Sequence, residues 1–226
     1  MTSAATSDIA LPSIRGSSHF LLRRLHSLTG IVFGAYVAFH LFINATIVQG
    51  GNVYQLQVDK IHGLPFLSGI EWVFIYIPII FHTVYGLWIT FTGQPNNVNY
   101  PYFKNGFYLM QRVSALILAV FIAFHVFAMK GLLGSALGFD PHHATATAVR
   151  SIDTHWLVAW LVYPIGILAA CYHTANGLWT AGVSWGLTVS AGGQRRWGWV
   201  CAVIFCGMIL AGLVALAAII ADGHVH

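Results

Sequence analysis
The sequence predicts an all-α integral membrane protein, a bundle of five transmembrane helices with its N-terminus in the cytoplasm. Three observations predict it. The 226 residues are 58% hydrophobic and only 7% charged, with a mean hydropathy of +0.74. Soluble domains carry about 25% charged residues, so this chain lacks the polar surface to face water on all sides. The few charges also fall in clusters that leave five long uncharged stretches. Finally, the bases divide unevenly between alternate loops.

A membrane helix needs about 20 mostly apolar residues. The uncharged stretches run for 34 residues between Arg24 and Asp59, 32 between Glu71 and Lys104, 17 between Arg112 and Lys130, 41 between Asp153 and Arg195, and 25 between Arg196 and Asp222. The third is short, but its flanking bases can snorkel to the interface. These stretches place helices near 26–48, 70–92, 110–133, 154–178 and 197–221, in one domain over 1–226. Breaks are expected at Gly50-Gly51-Asn52, Gly93-Gln94-Pro95, Asp140-Pro141-His142-His143 and Gly192-Gly193, residues that punctuate periodic segments. Pro78 and Pro164 lie inside spans two and four, where membrane helices tolerate a kinking proline.

Five spans put the termini on opposite sides. With the N-terminus inside, Arg15, Arg23, Arg24, Lys104, Arg112, Arg195 and Arg196 lie inside, and only Lys60, Lys130 and Arg150 lie outside. That asymmetry follows the positive-inside rule. It also accounts for the sequence pI near 9.1 without a nucleic-acid partner. The polar N-terminus has no apolar core after a basic start, so no cleaved signal peptide is expected. Cys171, Cys201 and Cys206 all lie in apolar runs, with no spacing for a zinc site, an iron–sulfur cluster or covalent haem attachment. All three are expected to be buried free thiols.

Two phrases recur. Phe81-His82-Thr83-Val84-Tyr85-Gly86-Leu87-Trp88 returns as Tyr172-His173-Thr174-Ala175-Asn176-Gly177-Leu178-Trp179. Ala38-Phe39-His40-Leu41-Phe42 returns as Ala123-Phe124-His125-Val126-Phe127. Each copy sets one histidine deep in a span. At 1.5 Å per residue, His40 lies about 24 Å beyond Arg24 and His125 about 20 Å beyond Arg112, so both fall in the outer half. His82 and His173 fall in the inner half. Depth therefore pairs His40 with His125 and His82 with His173, and each pair joins matching members of the repeat. Intramembrane ionisable groups are costly and functional by default. A single one is most simply a hydrogen-bonding contact between helices, but four in two level pairs suit the axial ligands of two b-type haems. Gly86 and Gly177 stand four residues after their histidines, on the same helix face, and leave room for a macrocycle. The remaining histidines fall at boundaries or in loops. The tryptophans at 72, 156, 179, 185, 197 and 199 are expected in the interfacial belt.

The stretch Arg23-Arg24-Leu25-His26-Ser27-Leu28-x-Gly30, the repeated His-x-x-x-Gly-Leu-Trp phrase, Tyr102-Phe103-Lys104-Asn105 and Gln111-Arg112-Val113 resemble the cytochrome b558-type membrane anchors of succinate:menaquinone oxidoreductases and their quinol:fumarate reductase relatives, over roughly residues 19 to 215. The resemblance implies five spans and two bis-histidine haems b on His40, His82, His125 and His173. It further implies menaquinone, and a flavoprotein and an iron–sulfur subunit docked on the cytoplasmic face. The setting it implies is a bacterial-type plasma membrane, with membrane lipid around the bundle and room for a higher oligomer of the complex. Succinate chemistry itself would lie outside this chain. Some fumarate reductases of this family carry a glutamate two residues before the fourth ligand; here that position is Cys171, as expected in the succinate-oxidising branch.

On this reading electrons pass from the inner haem to the outer haem and then to quinone, and Glu71 is the expected proton-carrying group at the quinone site. It is the only carboxylate at the start of a span, three turns above His82 on the same face. Asn44, one turn past His40, is a second quinone candidate. His26, Ser27, Arg24 and Arg112, at the inner side, are candidates for haem propionates, a second quinone site or phospholipid. An anchor of a formate dehydrogenase or hydrogenase and a histidine-relay transporter are alternatives. A bc1-type cytochrome, with two ligands on each of two helices, fits less well because each span here has one deep histidine.

Overall fold
The computed structural model describes residues 14–93, 103–133, 137–153 and 155–223. In order these form α1 (Ile14–Ala45), α2 (Gly51–His62), α3 (Leu67–Glu71), α4 (Ile77–Thr92), α5 (Phe103–Met129), α6 (Ala144–Ile152), α7 (Tyr163–Ser184) and α8 (Ala191–Gly223). Five segments are long and apolar enough to cross a membrane: His19–Gln49, Leu67–Thr92, Gly106–Met129, Val158–Ser184 and Ala191–Ala221. Side chains such as Phe42, Val84, Val120 and Val203 stay more than 60% exposed on their flanks, as suits faces turned to lipid. The start of α1, the end of α4, the start of α5 and the α7–α8 turn share one end of the bundle, the inner end in the expected orientation.

Several boundaries differ from the sequence expectation, for local reasons. The third span stops at Met129 rather than 133. Gly131 takes a φ of 72° there, and the amides of Gly131 and Leu132 bond back to Ala128 and Phe127, which closes the helix with a Schellman motif. The fourth span continues past 178 to Ser184, where Gly186 at φ 74° and the Gly186–Val183 and Leu187–Gly182 bonds make the same stop. Gly192 and Gly193, expected in a loop, lie in the first turn of α8. The loop from Gln94 to Tyr102 falls outside the described residues.

Spans two and four each carry a π-helical turn in their outer part, Trp72–Tyr76 after α3 and Val158–Val162. Each turn runs into the dipeptide that carries Pro78 or Pro164. A proline has no N–H for the carbonyl four residues back. Here those carbonyls belong to Phe74 and Trp160, both inside the π turns. The wider turn absorbs the missing bond, one of the adjustments by which membrane helices accommodate proline.

The outer end holds two short helices that the sequence reading treats as loops. Gly50, at φ 116°, breaks α1 as expected, but the chain turns at once into α2. This helix buries Tyr54 and Val58, one turn apart, in a core shared with Ile47, Ala148, Ile152, Met208 and Ile219. Gln55 ties α2 to the start of α6: its amide nitrogen donates to the Pro141 carbonyl at 2.7 Å, and its oxygen accepts from the Ala144 amide at 2.8 Å. Thr145 Oγ1 donates to the Gly51 carbonyl at 3.0 Å. Asp140 caps the next turn by accepting from the His142 amide.

Candidate functional site
The bundle brings the four deep histidines together in two pairs. The His40 ring on α1 and the His125 ring on α5 are 5.9 Å apart between centroids, inclined at 75°. The His82 ring on α4 and the His173 ring on α7 are 6.0 Å apart, at 90°. An imidazole–metal bond is about 2 Å. Two such bonds, plus the offset of each nitrogen from its ring centre, separate the centroids by roughly 6 Å. Both pairs therefore stand at the spacing one six-coordinate iron requires. Among the described residues no group of three or more His, Cys, Asp or Glu is placed to hold a bare metal ion. A macrocycle that brings its own four nitrogens needs no more than two protein ligands.

The second nitrogen of three of these rings is already engaged. Nδ1 of His82 is 3.0 Å from the His26 carbonyl oxygen. Nδ1 of His173 is 3.2 Å from both the Gln111 carbonyl and the Ser114 hydroxyl. Nδ1 of His125 is 3.1 Å from the Tyr163 hydroxyl. A carbonyl can only accept, so Nδ1–H is the donor in His82 and His173. The lone pair then belongs to Nε2, the tautomer and orientation that metal-ligating histidines usually take. His40 instead lies against Tyr36, at 5.7 Å between ring centroids. On spacing and donor chemistry the residues present fit two bis-imidazole haems.

The glycines of the repeated phrase also have protein neighbours. A Cβ on Gly86 would meet Cε1 of His26 at 3.0 Å, and one on Gly177 would meet the Gln111 amide nitrogen at 3.5 Å. The tighter position is Gly30, where a Cβ would lie 2.5 Å from Cε1 of His82. His26 is more than a boundary residue: its ring stacks on His82 at 4.0 Å, inclined 11°, while its carbonyl orients the same side chain. Its Nδ1 is buried with no hydrogen-bond partner.

The other candidates sort by end. Glu71 closes α3 at the outer end, immediately before the first π turn. Its carboxylate and the Tyr76 phenol lie within electrostatic reach of the Tyr36 phenol, and the Lys130 ammonium sits 6.0 Å from the Tyr76 ring. Tyr36 and Tyr76 carry no signal in the sequence, because isolated tyrosines are ordinary in apolar spans, and Lys130 reads there only as a span-end base. Asn44 is engaged within the chain. Its amide donates to the His40 carbonyl at 2.7 Å, and its oxygen faces the Tyr54 hydroxyl at 3.4 Å. Burial pushes the Tyr54 phenol up to about 12, so it remains a donor. At the inner end Arg24 lies between the Phe20 and Trp185 rings at 5.0 and 4.8 Å, and Ser27 accepts from Trp185 Nε1 at 2.9 Å. Arg112 donates to the Gly93 carbonyl at 3.1 Å and lies 4.4 Å from the Tyr108 ring.

Two expectations are corrected here. Cys171 and Cys201 are buried free thiols, but Cys206 is exposed, on a face of α8 open to lipid. Trp179 and Trp197 are not simple belt residues. They donate to the Gln194 and Leu178 carbonyls and clamp α7 to α8, with Trp197 packed against Gly182.

A five-span helical bundle with two level imidazole pairs in its interior defines the class, a membrane protein built like a cytochrome b. No family model matches the chain. It is 31% identical over 208 residues to the succinate dehydrogenase cytochrome b558 subunit of Bacillus subtilis, an alignment covering 91% of this chain and 99% of that protein. The chain belongs to the succinate dehydrogenase cytochrome b558 subunit family.

Proposed function
We propose that this chain is the two-haem membrane anchor of a succinate:menaquinone oxidoreductase in a bacterial-type plasma membrane, with its N-terminus cytoplasmic. The observation that carries the proposal is the pair of ring separations, 5.9 and 6.0 Å, at two depths of one bundle. His82 and His173 would hold the inner haem, and His40 and His125 the outer one. When bound, the haems supply one-electron transfer between the two ends.

The name of the Bacillus subtilis relative supports succinate as the source of electrons. A flavoprotein and an iron–sulfur subunit would then dock at the inner end. Succinate gives two electrons and two protons on oxidation to fumarate, and menaquinone takes two electrons and two protons to become menaquinol. Electron flow outward through the dielectric is coupled to the membrane potential.

The chain's own work is orientation and proton supply. The carbonyls of His26 and Gln111 hold the inner rings in the ligating tautomer, and the Tyr163 hydroxyl steadies His125. Glu71 delivers protons at the outer end, within electrostatic reach of Tyr36, whose ring lies 5.7 Å from that of His40. Cys171, wholly buried, leaves no carboxylate beside His173, in keeping with the succinate-oxidising direction. The test is succinate-driven menaquinone reduction by the assembled complex. Glu71→Gln is expected to reduce turnover at least tenfold with both haems retained; unchanged turnover removes Glu71 from the mechanism.

A further inference from the structure
We infer that Leu187 and Val189, on the turn between α7 and α8, are the apolar anchors onto which the iron–sulfur subunit docks, with Arg195 and Arg196 facing carboxylates at the rim of its socket. The assignment rests on the anchor reading above and adds the surface that serves it. Leu187 is 79% exposed and Val189 85%. Other bare apolar side chains, such as Val120 and Val203, lie on spans, where lipid covers them. Leu187 and Val189 belong to no span: the fourth ends at Ser184 and the fifth begins at Ala191.

The turn stands in water rather than in lipid. Arg195 and Arg196 follow the start of α8 by four and five residues, about 6–8 Å of helix. Both are exposed, and span-end bases on the inner side mark the headgroup layer. The turn precedes them, so it projects beyond that layer into the inner aqueous phase. Apolar surface bared to water and rimmed by polar residues marks an interaction site.

The turn is also preset. The amides of Gly186 and Leu187 donate back to the Val183 and Gly182 carbonyls, and that of Thr188 reaches Gly182 as well. From α8, Gln194 Nε2 donates to the Thr188 carbonyl at 3.2 Å. Trp185 Nε1 donates to Ser27 on α1 at 2.9 Å. Three helices thus fix the backbone that carries the two anchors, and a surface ordered before binding loses little entropy on binding. The lock to α1 gives the turn its place. Ser27 follows His26, whose ring stacks on His82 at 4.0 Å. A partner seated on the turn is linked to the inner histidine pair through Trp185, Ser27 and His26.

Charge selects the partner. No carboxylate occurs in the sequence between Asp153 and Asp222, so Arg195 and Arg196 have no acid on their own hairpin. Arg23 and Arg112 line a cleft at the same end, and no carboxylate lines it. The complementary surface is an apolar socket with an acidic rim, on a water-soluble protein that delivers electrons at this end.

The test uses the complete complex in its membrane, with photoreactive benzoylphenylalanine in place of Leu187 or Val189. Irradiation is expected to join this chain to the iron–sulfur subunit. Adducts with phospholipid alone would overturn the assignment and give the turn to the membrane surface, and adducts with a second copy of this chain would overturn it too. In parallel, Leu187→Ser with Val189→Ser is expected to release the soluble subunits roughly tenfold faster, with the haem spectrum intact, while Leu187→Met with Val189→Ile retains them. Arg195→Gln with Arg196→Gln is expected to weaken the salt dependence of release. Wild-type release from the serine variant would overturn the assignment. If that variant does not assemble, the crosslinks decide. A wild-type chain that holds no succinate-oxidising subunits would refute the anchor reading itself.

Discussion
At the scale of single residues, the groups behind the ligands matter as much as the ligands. Each inner histidine has its Nδ1 fixed by a backbone carbonyl, which no side-chain substitution removes. His125 depends on a side chain, the Tyr163 hydroxyl at 3.1 Å. Loss of such an outer partner typically costs 10- to 100-fold in affinity or activity. Tyr163→Phe is therefore expected to weaken retention of the outer haem and leave the inner one at full occupancy, read as haem content per chain. Gly30 gives the opposite selectivity. A side chain there collides with His82, so Gly30→Leu is expected to abolish the inner component of the optical spectrum and spare the outer one. Retention of both components would show that α1 can move aside at that point. The pairing of the four histidines could be reasoned from depth alone, because helical rise converts sequence position to height. The stack of His26 on His82 could not, because it depends on how two helices rotate against each other.

At the scale of elements, the repeated half-unit is more than a repeated motif. Both proline-bearing spans carry a π turn set against their proline, although Pro78 precedes its histidine by four residues and Pro164 by nine. The turn therefore follows the proline, as the missing N–H requires, and not the ligand. Uncharged stretches located the spans well because lipid forbids unpaired charge over that length. They could not locate α2 and α6, whose sequences mix polar and apolar residues in runs too short for a span. Gln55 ties α2 to the start of α6 by two hydrogen bonds, beside the core the two helices share. Gln55→Leu leaves the Ala144 amide without its acceptor, a loss of about 1–3 kcal/mol. The variant is expected to lower the thermal midpoint of the complex while the haem spectrum at ambient temperature stays normal. An unchanged midpoint would mean that the outer cap bears little of the stability.

At the scale of the whole molecule, the bundle sets two imidazole pairs in series between its ends. Glu71 stands at the outer end with Lys130 near the Tyr76 ring, and a cationic cleft lies at the inner end. An electron conduit across a membrane needs that order: a docking end, two relay positions and a proton-accessible end. The most direct test of this account is a potentiometric titration of the b-type α-band in the purified complex. The account predicts two one-electron components of equal amplitude, with His173→Ala removing one and leaving the other. A single component, or the survival of both in His173→Ala, would contradict it.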